Sequence, residues 1–466
     1  MRISIGNTIA LTDISLTTKQ WFIDNLTFEN PKYKEALDHG RSVRFIEKNI
    51  SMFTSTPNGI VVPRGMLQTI EGGLLGKGYD IELSDTRVLL EPVDVKSAIT
   101  LRPYQLPAKK GLLKHPNGVL VAPAGSGKTI LGLEVFASLR QRMLWLTHTT
   151  RLAQQVKERI LGTKDIPPAL LNINEKEIGM IGNGKWKIGD KITIALVQTL
   201  VRRLDMLPEL GREFGLVIVD EVHHLPATTF TKVIQYFYSY YLYGLTATLR
   251  RRDKLEGIVN VSIGNPNAII PREEVKKDGG IITPTVRVKY LTGLIYEGND
   301  YNVALRDFIL PNESRSDLIT EDIIREAKAG NHCVIISTRK EYCEILYQKI
   351  SRYWAKCGIS TGDYNDTHNT EQLNRLESNS INVLITTFDL LGEGFDVKKL
   401  NRCFLVLPMR EGVRIEQAVG RIQRSCDGKD TAIVYDYVDT NVGILSNQFR
   451  YRCEVYNRLG MKLYDH

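Results

Sequence analysis

The stretch "VLVAPAGSGKTILGLEVF", residues 119–136, limits more than any other what this chain can fold into. Val119, Leu120 and Val121 form an apolar run of the kind that makes a buried strand. The small residues of "APAGSG" break that run, and Ile130 to Phe136 then carry apolar side chains at helical spacing. A strand, a tight loop and a helix N-terminus are therefore expected in succession. Such a loop aims backbone N–H groups at an anion, and Lys128 adds a compact positive charge. Thr129 offers a hydroxyl suited to Mg²⁺. Ala124, Gly125, Ser126, Gly127, Lys128 and Thr129 are accordingly predicted to cradle phosphate groups. Ala122 stands where the usual pattern begins with glycine.

A phosphate cradle of this kind works with an acidic partner, and "LVIVDEVHH", residues 216–224, supplies one. The apolar run delivers Asp220 at the C-terminal end of a strand, where α/β sheets gather their ligands, and Glu221 follows at once. Asp220 is expected to hold Mg²⁺ through its water shell, and Glu221 to accept a proton from an attacking water. His223 and His224 are adjacent and have no cysteine nearby, which speaks against a zinc site.

These two segments lie in a longer alternation. From "LRPYQ" (101–105) onward, the apolar runs "GVLVA", "RMLWLTH", "ITIALV", "GLVIVD" and "YLYGLTA" are separated by helix-length segments. Residues 271–285 read as a surface linker. A second series follows: "TVRVKYL", "HCVIIS", "INVLITT", "RCFLVL" and "TAIVYDYV". The pattern predicts an α/β protein with two tandem doubly wound parallel-sheet domains, residues 96–275 and 276–466. Residues 1–95 alternate β-like runs such as "GIVVPRG" and "DTRVLLEPV" with turns, and one helix is expected around Pro31 to His39. This is a small β-rich N-terminal domain.

In the second α/β domain, "QAVGRIQRS" (417–425) spaces Gln417, Arg421 and Arg424 at intervals of four and three, which a helix would place on one face. Arginines so arranged can neutralise charge on a γ-phosphate in the transition state. Composition narrows the field. With 42% hydrophobic and 24% charged residues, the chain is of the ordinary globular class, and its net charge of +8 suits a polyanionic partner. Six cysteines, none in a C-x-x-C pair, supply neither a zinc cluster nor a disulfide framework. The start "MRISIGNTIALTDISL" lacks a sustained apolar region, and no run approaches a membrane span, so no membrane association and a cytoplasmic location are expected.

Taken in order, these segments resemble the motifs of superfamily 2 helicases and translocases, from about residue 100 to residue 445. The resemblance implies RecA-like domains and the use of ATP and Mg²⁺. "LRPYQ" is similar to the adenine-recognising motif, implying that Gln105 reads the adenine edge with help from Arg102 or Tyr104. "APAGSGKT" and "DEVHH" match motifs I and II. "LWLTHTTRLAQQ" and "ALVQTL" resemble strand-gripping motifs, implying nucleic-acid contacts for Thr149, Arg151, Gln198 and Thr199. "LTATL" implies that Thr246 and Thr248 couple hydrolysis to movement. "VIISTRKEYCEIL" points to Ser337, Thr338 and Arg339. "VLITTFDLLGEGFDV" places Gly394 and Asp396 toward the nucleotide and Thr386 or Thr387 toward the nucleic-acid backbone. "QAVGRIQRS" matches motif VI.

"DEVHH", "LTATLRRRDKLEG" and "YDYVDTNVGILSNQFRYRCEVYNRLG" look more like the DNA-directed branch than the DEAD-box RNA branch. The N-terminal "NPKYKEALDHGRS" and "VVPRG" are similar to segments of compact phage and repair helicases of the UvsW type, which remodel forks and branched DNA. The implied activity is ATP-dependent unwinding or branch migration of forked, branched or single-stranded DNA, alongside recombination or replication proteins. An RNA-remodelling ATPase and the motor of a nuclease system are the alternatives. Arg250 and Arg251 in "LRRRDK" would contact phosphate or separate strands. "YFYSYYLYG" (236–244) is expected to pack in the core rather than stack on bases. Asp80, Asp94 and Lys96 echo a D…D-x-K nuclease pattern of the kind that arises by chance. Residues 1–95 are expected to recognise DNA structure and to be dispensable for basal hydrolysis.

Overall fold

The computed structural model describes residues 1–74, 81–162, 170–222, 227–248, 255–392, 397–410 and 412–465. It divides into two compact units, residues 1–123 with 127–272, and residues 124–126 with 273–466.

The first unit is built on an eight-stranded sheet. Its strands run in the order Lys185–Lys187, Ile178–Gly182, Ile192–Leu196, Met143–Thr147, Leu216–Val219, Tyr241–Thr246, Asn117–Val121 and Pro266–Ile269. Only Lys185–Lys187 runs antiparallel to its neighbour; the other pairings are parallel. The central strands are buried along their length, which is why their sequences read as unbroken apolar runs. Leu216–Val219, Tyr241–Thr246 and Asn117–Val121 are consecutive neighbours. Their C-terminal ends therefore bring Asp220, the Thr246 loop and the phosphate cradle to one edge.

"YFYSYYLYG" packs as expected. Phe237 and Tyr243 are buried, and the Tyr243 hydroxyl donates to the His115 carbonyl oxygen at 2.8 Å. Arg87 lies over the Tyr240 ring and Arg212 over the Tyr238 ring.

Residues 2–85 of the same unit carry a five-stranded sheet in the order Thr54–Thr56, Gly59–Pro63, Thr8–Thr12, Arg2–Ile5 and Glu82–Asp85. Alternate residues point inward, so Ile3, Ile5, Ile9, Leu11, Ile60 and Val62 make a core with Phe22 and Leu26. The helix around Pro31 forms over Pro31–Asp38, started by proline and by the Asn30 side chain, which accepts from Lys32 N–H.

The expectation for "DTRVLLEPV" needs correction. The strand ends at Asp85, and the rest is an extended arm laid on the parallel-sheet part. Val88 pairs with Ser239, Leu90 N–H donates to the Gln141 side chain, and Val93 N–H donates to the Arg140 carbonyl oxygen. Thr86 N–H still donates to the Ile5 carbonyl oxygen of the small sheet, and beyond it the backbone groups of Val88, Leu90 and Val93 find their partners outside that sheet. The buried Arg64 donates to the Ser239 carbonyl oxygen, and Gln68 donates to that of Asn117. The N-terminal residues thus hold the starts of two strands whose far ends carry the cradle and the Thr246 loop.

The second unit has a seven-stranded sheet, parallel throughout. Its order is Cys357–Ser360, Val383–Thr387, Cys333–Ser337, Arg402–Leu405, Ile433–Asp439, Thr285–Leu291 and Leu463–Asp465. The stretch 271–285 is not simply a surface linker. It forms a helix over Arg272–Lys277, and Val275 and Ile281 are buried.

Candidate active site

The cradle takes the predicted form. The chain leaves Asn117–Val121, turns through residues 122–127 and enters the helix Lys128–Leu139. Gly125 and Gly127 have φ of +86° and +79°, a left-handed conformation that side chains disfavour. Gly127 is also crowded: a Cβ there would meet the Gln105 amide at 2.6 Å. Ala122 has no such demand. It is buried and outside the left-handed region, so alanine serves where the usual pattern has glycine. Ser126, within the loop, is buried, and Thr129 is half-buried in the first turn of the helix.

Lys128 heads that helix. Its ammonium donates to the Ala122 carbonyl oxygen at 3.3 Å and pairs with Glu221 at 3.5 Å. Gln105 starts the helix Gln105–Leu113 and is buried; its side-chain oxygen accepts from Arg102 N–H at 2.9 Å, and its amide reaches the Gly127 carbonyl oxygen at 3.5 Å. That ties the adenine-motif residue directly to the loop. Tyr104 immediately precedes the same helix, half-buried, and Arg102 is exposed.

Asp220 follows Leu216–Val219 and is buried, with its N–H bonded to the Leu146 carbonyl oxygen. Burial above all, and then the Glu221 carboxylate beside it, push its acid up to about 7, against the pull of Lys128 and of the Glu221 N–H at 3.0 Å. Glu221 sits at φ +48°, unusual for a residue with a side chain. Strain of this sort persists where the surroundings over-determine it, commonly at functional sites. Two acids and one lysine beside glycine-cradled N–H groups suit a divalent cation and a polyphosphate. Asp220 and Thr129 would hold Mg²⁺; Gly125, Gly127 and Lys128 would hold the phosphates.

Thr246 and Thr248 close on each other. The Thr246 hydroxyl donates to the Thr248 carbonyl oxygen at 2.6 Å and accepts from Thr248 N–H at 3.3 Å, while the Thr246 carbonyl oxygen takes Ala122 N–H. The loop after this strand is thereby linked to the base of the cradle. The Thr149 side chain caps the helix Thr150–Leu161 by accepting from Leu152 N–H. Arg151 is half-buried in that helix's first turn; Gln198 is exposed and Thr199 half-buried in the helix Val197–Val201. Arg159 was not anticipated: it is half-buried, feels the charge of Asp220, and has its acidity raised by burial. Arg151, Gln155 and Arg159 recur every fourth residue, a spacing that puts them on one helix face.

In the second unit, Ser337 and Thr386 are buried at strand ends and Thr387 nearly so. The Ser337 hydroxyl donates to the Arg339 carbonyl oxygen and accepts from Arg339 N–H, holding the loop that presents the half-buried Thr338. Arg339 is exposed and donates to Asn302. Gln417 and Arg421 lie in the helix Gly412–Ile422, but Arg424 does not share their helical face as the spacing suggested. The helix ends at Ile422, and Arg424 instead pairs in antiparallel fashion with Ile281, so backbone pairing sets its direction. Arg250, Arg251, Gly394 and Asp396, with His223, His224 and Asp80, lie outside the described residues. Asp94 and Lys96 are exposed.

Comparison with known proteins agrees with this arrangement. Residues 98–251 match the family "Type III restriction enzyme, res subunit", and residues 314–426 match "Helicase conserved C-terminal domain". The chain is 28% identical over 398 residues to "Probable helicase D10" of Escherichia phage T5, covering 83% of this chain and 81% of the relative. It is 27% identical over 368 residues to "Putative ATP-dependent RNA helicase L396" of Acanthamoeba polyphaga mimivirus, covering 76% and 67%. It is 34% identical over 197 residues to "DNA 3'-5' translocase XPB2" of Sulfurisphaera tokodaii, covering 42% of this chain and 41% of that one. The match to the archaeal relative thus spans less than half of either chain. Among solved structures, S. cerevisiae Dbp5 bound to RNA and ADP BeF3 aligns with a TM-score of 0.56 at 14% identity over 78% of this chain and 90% of that one. T4 UvsW aligns over 100% of both chains with a TM-score of 0.43 at 17% identity.

Proposed function

The chain belongs to superfamily 2 of the helicases and translocases, and from that premise we propose that its ATP hydrolysis drives movement along DNA, with forked or branched DNA as the substrate. The observation that carries the motor chemistry is the meeting of Lys128, Asp220 and Glu221 beside the left-handed glycines of the cradle. In this mechanism the Gly125–Thr129 backbone and Lys128 bind the β- and γ-phosphates. Thr129 and, through a water shell, Asp220 would hold Mg²⁺, which would supply neutralisation of phosphate charge. Once phosphate draws Lys128 away, the Glu221 carboxylate is left to accept the proton of the attacking water. Gln105 positions the adenine. Arg421 and Arg424 stabilise charge on the γ-phosphate, and Thr246 and Thr248 pass its loss to the strand-gripping residues.

DNA as the track rests on the motifs of the DNA-directed branch, the net charge of +8 and the naming of the archaeal relative as a DNA translocase. The mimivirus relative's name favours RNA as a second reading. Among the described residues no helix is long and apolar enough to cross a membrane. Residues 1–95 are proposed to recognise DNA structure through phosphate contacts, which makes their effect salt-sensitive and sequence-independent.

The test is ATPase and strand separation measured on single-stranded, duplex, forked and four-way DNA with RNA controls. Forked and four-way DNA are expected to be unwound with DNA-stimulated hydrolysis. Stimulation by RNA and none by DNA would replace this reading with the RNA one.

A further inference from the structure

The connection between the helix Pro31–Asp38 and the strand Asn49–Ser51 carries the most exposed large apolar side chain of the N-terminal region. Phe45 is 92% exposed. A single exposed apolar residue is ordinary on a protein surface. Three further features set this one apart. The Arg44 guanidinium stands 5.7 Å from the centre of the Phe45 ring. Arg41, Arg44 and Lys48, within four residues of it in sequence, are exposed, with Glu47 the one acid between residues 39 and 48. The loop is also pinned at both ends: Arg41 N–H donates to the Ala36 carbonyl oxygen at 2.7 Å, and Asn30 bonds the carbonyl oxygens of both Glu47 and Lys48.

The base beneath the loop is fixed. Asn49–Ser51 pairs with Thr27–Glu29, and Phe28, Ile50 and Met52 pack on Leu255 and Ile258 of the helix Glu256–Ile263 and its start. Phe28 lies so close to Gly257 that a Cβ there would meet its ring at 2.5 Å. That helix follows in sequence the segment carrying Arg250 and Arg251. The strand that follows the Phe45 loop is therefore braced against the helix Glu256–Ile263 of the same unit.

We infer that Phe45 is a stacking pin for an unpaired base at a junction between duplex and single strand, with Arg41, Arg44 and Lys48 holding the flanking phosphates. A planar ring presented on a pinned loop among cations is the chemistry that receives a splayed base. This deepens the proposed function and rests on it.

The full-length protein tests the pin on forked DNA carrying 2-aminopurine at the junction. Phe45→Ala is expected to slow strand separation by about tenfold and to lose the 2-aminopurine signal change. ATPase stimulated by single-stranded DNA should stay within about twofold of wild type, and Phe45→Trp should restore unwinding. Forks unwound by Phe45→Ala at the wild-type rate would overturn the pin while leaving the motor intact. An equal loss on single strands would overturn it too, as would a Phe45→Ala protein that changes from oligomer to monomer in sedimentation. A wild-type protein whose ATPase no nucleic acid stimulates would overturn both the pin and the motor.

Discussion

Asp220, just past a strand of the first unit, and Asp436, within a strand of the second, are both buried, and their surroundings differ in kind. Asp436 accepts two hydrogen bonds from Arg452, at 2.8 and 2.9 Å, and a third from the Tyr456 hydroxyl at 2.8 Å. Asp439, three residues on, pairs with the buried Arg315 at 3.1 Å. Asp220 instead has the like charge of Glu221 beside it and is pushed up to about 7. A buried acid whose partners satisfy it holds the fold together; one left under-neutralised has the character that the proposed Mg²⁺ site requires.

The largest expected difference is catalytic. Glu221→Gln should lower ATP turnover by about 100- to 10,000-fold while leaving nucleotide affinity within about twofold, because only the proton acceptor is lost. Phosphate release and fluorescent-nucleotide titration would check this, and normal turnover would remove Glu221 from its role. Asp436→Asn should act in the opposite sense. Turnover per folded molecule stays the same, but leaving Arg452 buried without its anion should cost about 3–5 kcal/mol of stability in urea unfolding. A smaller loss would mean that the second unit's ion pairs are less closed than their geometry indicates.

Truncation sharpens the comparison within the first unit. The sequence suggested that residues 1–95 could be removed without harm to basal hydrolysis. Their removal uncovers Leu255 and Ile258 and strips the acceptors on Ser239 and Asn117 of Arg64 and Gln68. Lost burial of those two side chains alone is worth about 3 kcal/mol, so the truncated chain should unfold at lower urea and bind hydrophobic dye. An unchanged unfolding midpoint would show that this covering is dispensable.

Much of this was legible in the chain because buried parallel strands write themselves as continuous apolar runs, as in "RMLWLTH" and "INVLITT". The strands that escaped notice are short or interrupted by glycine: Ile178–Gly182, Cys357–Ser360 and Leu463–Asp465 gain their form from pairing with a neighbour. The helix Leu16–Asn25 buries only Phe22, too little apolar periodicity to announce itself. At the site, residue identity revealed Lys128, Asp220 and Glu221. It could not reveal the φ of +48° at Glu221 or the departure of Arg424 from the helix, since contacts distant in sequence impose both.

The central claim is that Asp220 is held ready for a cation while its counterparts in the second unit are satisfied. A carboxyl whose acid is raised on folding from near 3.8 to about 7 stabilises the protein below pH ~4 and loses that contribution as pH climbs toward 7. Urea unfolding of wild type and Asp220→Asn from pH 5 to 8, with and without Mg²⁺·ADP, measures this directly. Without nucleotide, Asp220→Asn should be the more stable protein at pH 8, with the gap closing toward pH 5. Mg²⁺·ADP should stabilise wild type and reduce or reverse the gap at pH 8. Parallel pH profiles for the two proteins, or an Asp220→Asn protein less stable throughout, would contradict the account.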